Sequence, residues 1–242
     1  MAFNYSPKVI NDSSLALIVD AANPRSYPGS GTSWANLTKN NITGTLVNDP
    51  TFNSANGGAI VFDGSNDYVN LGINSSCYSP TGFTIDAWVK LTNNGGANPI
   101  LCIYNSSTIS SNNEYVFGTT SGRLYGWVYD STNTAYRGRY ATATSLITNN
   151  VWCNLHMIYD GGTVNSSVKL YFNGTQFDTT DFGSGTFTSI RNTSSPMAIG
   201  VTNGGLGGPI NGSMGNLKFY TRALSATEIL QNYNATKTRF GL

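Results

Sequence analysis

The stretch Val168-Lys-Leu-Tyr-Phe-Asn-Gly-Thr-Gln-Phe-Asp178 sets an Asn-Gly pair between two strand-like runs. A two-residue hairpin needs positive φ at both central positions, which Asn and Gly adopt at little cost, so this stretch reads as antiparallel β-structure. Working outward, nearly every apolar run is short, rich in aromatic or β-branched residues and bounded by Gly, Asn, Pro or Ser. Those are strand signals. Phe83-Thr-Ile-Asp-Ala-Trp-Val89 alternates, with Phe83, Ile85, Ala87 and Val89 on one face and Thr84, Asp86, Trp88 and Lys90 on the other. The first face predicts core and the second a partly wet surface. The runs at 15–20, 59–64, 67–72, 99–104, 114–118, 123–129, 135–141, 151–159, 197–201 and 210–220 bring the total to about a dozen strands. Ser65-Asn66 forms a tight connection between two of them. Few connections could hold a crossover helix, which implies antiparallel pairing.

One segment breaks the pattern. Ser225-Ala-Thr-Glu228 is a capping box, with Leu224 and Ile229 placed to staple it. It predicts a short helix from about Ala226 to Ala235, followed by the tail Thr236-Lys-Thr-Arg-Phe-Gly-Leu242, whose ordering needs a partner or a groove. No internal repeat or linker composition interrupts the chain. Residues 14–235 therefore read as one β-sandwich with a terminal helix on its edge, preceded by a lead segment (1–13) and followed by a tail (236–242).

Charge is scarce. The 242 residues include 13 Lys plus Arg and 12 Asp plus Glu, 10% of the chain, where a soluble domain usually carries roughly 25%. Thirty Asn and 27 Gly replace them. A net charge of +1 supplies no field for nucleic acid or an anionic membrane surface. No apolar run nears the roughly 18 residues of a membrane span, and the opening Met-Ala-Phe-Asn-Tyr-Ser-Pro-Lys-Val-Ile lacks the pattern of a secretory signal. With 39% hydrophobic and 12% aromatic residues, the chain can bury a sizeable core. Cys77, Cys102 and Cys153 form no metal or disulfide spacing, and Cys102 and Cys153 read as small buried hydrophobes.

Glycoside hydrolysis needs two carboxylates across the scissile bond. The chain has two Glu, Glu114 and Glu228, of which Glu228 belongs to the capping box; no strand carries acids at i and i+2, and Asp86 stands alone. The single histidine, His156, lies in a strand, no G-x-S-x-G occurs, and a strand histidine hydrogen-bonded in or near the core is expected. The glycines of Asn203-Gly-Gly-Leu-Gly-Gly208 precede a strand and no Lys-Ser/Thr follows, so they read as a flexible loop and not a phosphate cradle. No enzyme is expected. A binding surface is the better prospect: Tyr125, Trp127 and Tyr129 alternate on one face of a strand. In the next run Arg137 and Arg139 share one face, and Tyr136 and Tyr140 the other. A hairpin around Ser131–Asn133 would assemble an aromatic and guanidinium patch suited to sugars; alternatively, Trp127 and its neighbours pack a second core layer.

In order along the chain, Ser14-Leu-Ala-Leu-Ile-Val-Asp-Ala-Ala-Asn23, Pro24–Trp34, Gly44-Thr-Leu46, Ile60-Val-Phe-Asp-Gly64, Phe83–Val89, Val151-Trp152, Tyr159-Asp-Gly161, Lys169–Gly174 and Gly215–Ser225 resemble laminin-G-like, concanavalin A-like jelly-roll domains. The resemblance implies an all-β antiparallel jelly-roll sandwich of the concanavalin A-like lectin/glucanase superfamily, over roughly residues 14–235. Many relatives hold calcium at the sandwich rim, which makes Asp20, Asp63 and Asp67 candidate ligands and calcium the one candidate cofactor. The family's acidic pair before the last strand is replaced here by Gly215 and Asn216 in Met214–Leu217. The lead-in Tyr5–Ser14 and the helix running into Lys237–Leu242 are similar to versions found in tailed-bacteriophage virion proteins. That likeness implies a virion location and a capsid-decoration, cement or fibre role. It also implies virion-protein partners, homo-oligomeric assembly with contacts through the lead and the tail, and host-surface polysaccharide as a further ligand. The alternative is a carbohydrate-binding module of a bacterial protein, with a glycanase behind it.

Overall fold

The computed structural model describes residues 7–104, 112–143, 145–202 and 208–242; most of the glycine loop expected at 203–208 lies outside them. In chain order the strands are β1 (Leu15–Asp20), β2 (Ser33–Ala35), β3 (Thr43–Val47), β4 (Thr51–Asn53), β5 (Ala59–Asp63), β6 (Tyr68–Gly72), β7 (Phe83–Leu91), β8 (Ala97–Ile103) and β9 (Tyr115–Thr120). They continue as β10 (Arg123–Asp130), β11 (Ala135–Tyr140), β12 (Trp152–Tyr159), β13 (Val168–Phe172), β14 (Thr175–Gln176), β15 (Thr180–Ser184), β16 (Met197–Ile199) and β17 (Asn211–Tyr220). One helix, α1 (Ala226–Thr236), follows, and a single 3-10 turn, Lys237–Phe240, ends the chain.

Two antiparallel sheets form a sandwich. The first runs β14-β13-β12-β7-β17, and β17 continues to β5-β4 at one end and to β1 at the other. The second runs β15-β11-β10-β9-β8-β16-β6-β3-β2. Their facing sides make the core: Phe83, Ile85, Ala87 and Val89 of β7, Leu155 and Met157 of β12, and Leu217 and Phe219 of β17 meet Phe117, Leu124 and Val128. The Asn-Gly hairpin joins β13 to β14 with φ of 49° and 80° at Asn173 and Gly174. The three cysteines are buried free thiols, each pushed by burial up to about 12. β5 and β6 do not pair across Ser65-Asn66, because the tight turn carries the chain from one sheet to the other.

The face of β7 expected to be partly wet is half-exposed only at Lys90. Thr84, Asp86 and Trp88 are all within 1% of full burial. Register explains the arrangement: His156 of β12 and Lys218 of β17 flank Asp86 on either side, and one row along Asn154 and Asn216 flank Trp88. Asp86 pairs with Lys218 at 3.0 Å and accepts from Asn154 at 2.8 Å and from Asn232 of α1 at 3.2 Å. The His156 Nε2 lies 3.5 Å from the same carboxylate. Burial alone would raise the Asp86 pKa, but Lys218, His156 and Asn154 override it and hold the carboxyl well below its ordinary range.

Helix α1 closes this face. Ser225 caps it by accepting from the Glu228 amide while Glu228 accepts from the Ser225 amide, as the capping box requires. Arg222 bridges Glu228 and Asp12, which holds the Glu228 carboxyl at about 2; Ser14 and Arg222 together hold Asp12 at about 2. The lead segment is tied down as well, with the Ile10 amide donating to Asn232 and Tyr220 donating to the Ile10 carbonyl. The tail finds its groove on the chain itself. The Phe240 ring stacks on Trp88 with centroids 4.2 Å apart and tilts against Trp152 at 4.8 Å. A bulge at Gly215 makes the room, since a Cβ there would sit 2.6 Å from that ring. Neither residues 7–13 nor the tail therefore needs a neighbouring molecule to become ordered.

Phe240→Ala removes the plug between Trp88 and Trp152. It is expected to lower unfolding stability by about 3 kcal/mol, read as a shift of the urea midpoint at unchanged slope.

Candidate functional site

Strand β10 alternates across the second sheet. Leu124, Gly126 and Val128 face the core, which turns Arg123, Tyr125, Trp127 and Tyr129 to the outer side. The expected β10–β11 hairpin forms, with Tyr125 opposite Tyr140, Trp127 opposite Gly138 and Tyr129 opposite Tyr136. Asp130 holds its turn by accepting from the amides of Thr132 and Asn133. Tyr136 and Tyr140 thus join the outer aromatic row, and β15 adds Phe182 beside Gly138.

The rings form a continuous layer. Tyr125 and Trp127 stack at 5.2 Å, Phe182 meets Trp127 edge-on at 5.6 Å, and Tyr129 stacks on Tyr136 at 6.3 Å. Gly138 permits this closeness, because a Cβ there would lie 2.5 Å from Phe182 and 2.6 Å from Trp127. Tyr125 and Tyr129 are buried as a floor, whereas Trp127, Tyr140 and Phe182 are half-exposed. Between them runs a trough of about 350 Å³, lined by Ala97, Thr120, Arg123, Tyr125, Trp127, Tyr140 and Phe182. The rings lie on the outer side of one sheet, where buried Tyr125 packs with Cys102, Tyr104 and Val116 in a second apolar cluster and Trp127 and Tyr140 lean against it, so the core-layer alternative holds for Tyr125 while Trp127, Tyr140 and Phe182 keep part of their rings exposed.

The arginines are rearranged relative to the expected patch. Arg137 and Arg139 oppose Val128 and Gly126, so they project away from the aromatic face. Arg137 donates to the carbonyls of Thr163, Ser184 and Gly185, and Arg139 pairs with Asp178 and Asp181. Both are braces for loops and for the β15 edge. The guanidinium that reaches the rings belongs to Arg123, 5.7 Å from the centre of Tyr140. Its parity with Tyr125 and Trp127 was visible in the sequence, but its place at the start of the strand gave no sign that Tyr140 would lie beside it.

Of the three aspartates considered for calcium, Asp20 and Asp63 have other employment, and Asp67 uses one oxygen while its buried Oδ1 has no hydrogen-bond partner. Asp20 forms a two-oxygen ion pair with Arg239 of the tail. Asp63 accepts from the amides of Ser65 and Asn66 in the inter-sheet turn, and these bonds lower its pKa. Asp67 is buried and accepts from the Asp63 amide; burial and the nearby carboxylates of Asp63 and Asp49 raise its pKa. Gly215 and Asn216, where relatives carry acids, lie beneath Phe240 and beside Lys218. Among the described residues, no three His, Cys, Asp or Glu side chains gather closely enough to hold a metal ion. This donor set does not fit calcium.

A larger cleft of about 670 Å³ runs beside β1, lined by residues that include Lys8, Asp12, Leu15, Leu37 and Lys39. It contains no aromatic ring. The trough does, and rings spaced along a strand match the apolar faces of successive sugar units.

Fold and trough together define a lectin-like jelly roll. Residues 63–230 match a laminin-G-type family of the concanavalin A-like lectin/glucanases superfamily, and the chain belongs to it. No curated protein sequence matches the chain. Among solved structures it is similar to domain 4 of AbnA, an extracellular arabinanase from Geobacillus stearothermophilus, in complex with arabinotriose: 17% identity, TM-score 0.63, covering 92% of this chain and 100% of that one. It is also similar to the binding domain of Paraclostridial Mosquitocidal Protein 1, at 16% identity and TM-score 0.67, covering 92% of this chain and 52% of that one. A third similar structure is the ligand binding domain of botulinum neurotoxin serotype D in complex with N-acetylneuraminic acid, at 13% identity and TM-score 0.64. It covers 91% of this chain and 50% of that one, so the chain spans about half the length of either toxin domain.

The separate duties of the arginines predict separate phenotypes. Arg139→Met strands the buried Asp178 and is expected to cost about 2 kcal/mol of stability, whereas Arg123→Met changes stability by less than about 0.5 kcal/mol. Parallel urea titrations of the two variants check both values.

Proposed function

We propose that this chain is a non-catalytic virion protein of a tailed bacteriophage, displaying a lectin-like jelly roll that binds host-surface glycans along the outer face of β10, β11 and β15. The observation that carries the glycan reading is the trough itself: the half-exposed rings of Trp127, Tyr140 and Phe182 over a buried Tyr125, on strands, beside a guanidinium that is unpaired among the described residues. Rings on strands offer a flat apolar platform with little side-chain entropy left to lose. Two structures of similar fold are complexes with saccharides, which supports the same reading.

The non-catalytic part rests on how the glutamates are used. Glu228 caps α1 and pairs with Arg222, and Glu114 is buried, accepting from the amide and hydroxyl of Thr193. Asp86, the other centrally placed carboxylate, lies beneath α1. The virion part rests on the likeness of the two ends to phage proteins. In such a setting a decoration, cement or fibre protein would repeat the trough in several copies, and repetition multiplies weak glycan contacts.

Trp127→Ala is expected to weaken saccharide binding at least about tenfold while far-ultraviolet circular dichroism and the unfolding midpoint remain close to those of the parent. Calorimetric titration against host-surface polysaccharide reads the loss, and undiminished binding rejects the trough. For the setting, mass spectrometry of purified phage particles should recover this chain at constant stoichiometry; particles without it reject the virion assignment and favour a bacterial carbohydrate-binding module.

A further inference from the structure

Arg123 stands apart from the other arginines. Arg137, Arg139, Arg191, Arg222 and Arg239 all hold carbonyls or carboxylates, and Arg25 is fully on the surface. Arg123 is half-buried in the trough wall, its Nε is shut away from solvent with no acceptor, and among the described residues its guanidinium makes no hydrogen bond or ion pair. The Tyr140 ring, 5.7 Å from the guanidinium, braces the cation without neutralising it. No carboxylate lines the trough. Asp178 and Asp181, just before and on β15, are engaged by Arg139, which faces the opposite side of the sheet.

A half-desolvated, uncompensated guanidinium beside sugar-stacking rings is complementary to a sugar that carries an anion. We propose that the trough selects saccharides bearing a carboxylate, uronic or sialic acid units, with the terminal nitrogens of Arg123 donating to the carboxylate while Trp127 and Phe182 pack the ring. The planar fork of a guanidinium matches the two oxygens of a carboxylate, and the partial burial of the site limits screening. This rests on the glycan reading of the trough and adds the ligand's charge to it.

Matched pairs of probes separate the two ideas. Trigalacturonate and its methyl ester, and sialyllactose and lactose, differ within each pair chiefly in the charged group. By calorimetry the charged member of at least one pair is expected to bind about tenfold more tightly than its neutral partner. Raising NaCl from about 50 to about 500 mM should weaken the charged member alone. Arg123→Gln should abolish the preference, lowering the affinity of the charged member much more than that of its neutral partner, while Trp127→Ala lowers both. The salt titration uses the parent protein and so stands even if Arg123→Gln folds poorly. Equal binding within both pairs, or an equal loss of both members in Arg123→Gln, overturns the proposal and leaves the glycan reading intact. Tighter binding of lactose sulfate than of sialyllactose or trigalacturonate replaces the carboxylate with a sulfate ester and also overturns it. No binding of any probe sinks both.

Discussion

The ion pair between Asp86 and Lys218, at 3.0 Å in the middle of the first sheet, sets a condition that the rest of that face must satisfy. Two charges taken out of water cost several kcal/mol each unless every remaining oxygen and proton finds a partner. The sheet supplies Asn154, Asn216 and His156 from neighbouring strands, but a partner from above the plane is still needed. Asn232 of α1 provides it, and the same amide side chain also donates to Tyr220 and accepts from Ile10. The helix and the lead segment are thereby held at one point. A helix docked by hydrophobic contact alone could slide; one that must deliver Asn232 to Asp86 has a single register.

The two outer faces of the sandwich are finished differently. The first sheet is covered by α1 and by the tail, where Phe240 fills the space between Trp88 and Trp152 and Arg239 reaches Asp20. On the second sheet the rings of Trp127, Tyr140 and Phe182 remain half-exposed. The two faces use aromatic residues oppositely. Trp88 is sealed and donates its indole proton to Thr236, while Trp127 presents part of its ring to solvent.

Much of the fold was legible because its signals are local. The Asn173-Gly174 hairpin, the Ser225–Glu228 cap and the alternation of Phe83–Val89 each rest on a few adjacent residues, and each forms as expected. The misreadings arose where distant segments meet. Thr84, Asp86 and Trp88 look like a wet face until α1, some 140 residues later, covers them. The tight Ser65-Asn66 connection forms as expected, but a turn's length does not reveal that its two strands belong to different sheets. For the trough, the parity of Tyr125, Trp127 and Tyr129 was readable; that Tyr140 and Phe182 complete it depends on cross-strand register. The arginines failed for the same reason. Arg137 and Arg139 are near the rings in sequence and on the reverse side of the sheet in space.

Scarcity of charge takes on a definite meaning in this arrangement. With 12 acids in 242 residues, most are consumed by internal ties: Asp12 and Glu228 by Arg222, Asp20 by Arg239, Asp86 by Lys218, Asp160 by Lys169, and Asp178 and Asp181 by Arg139. Each tie joins segments that sequence separates or pins a loop to a strand. Little charge is left to create a long-range field, so the surface offers mainly rings, amides and hydroxyls. In a surface so nearly neutral, a single uncompensated guanidinium carries unusual weight. In a highly charged protein Arg123 would be one cation among many, screened and paired by neighbours. Here it is the one formal charge among the described residues that line the aromatic trough.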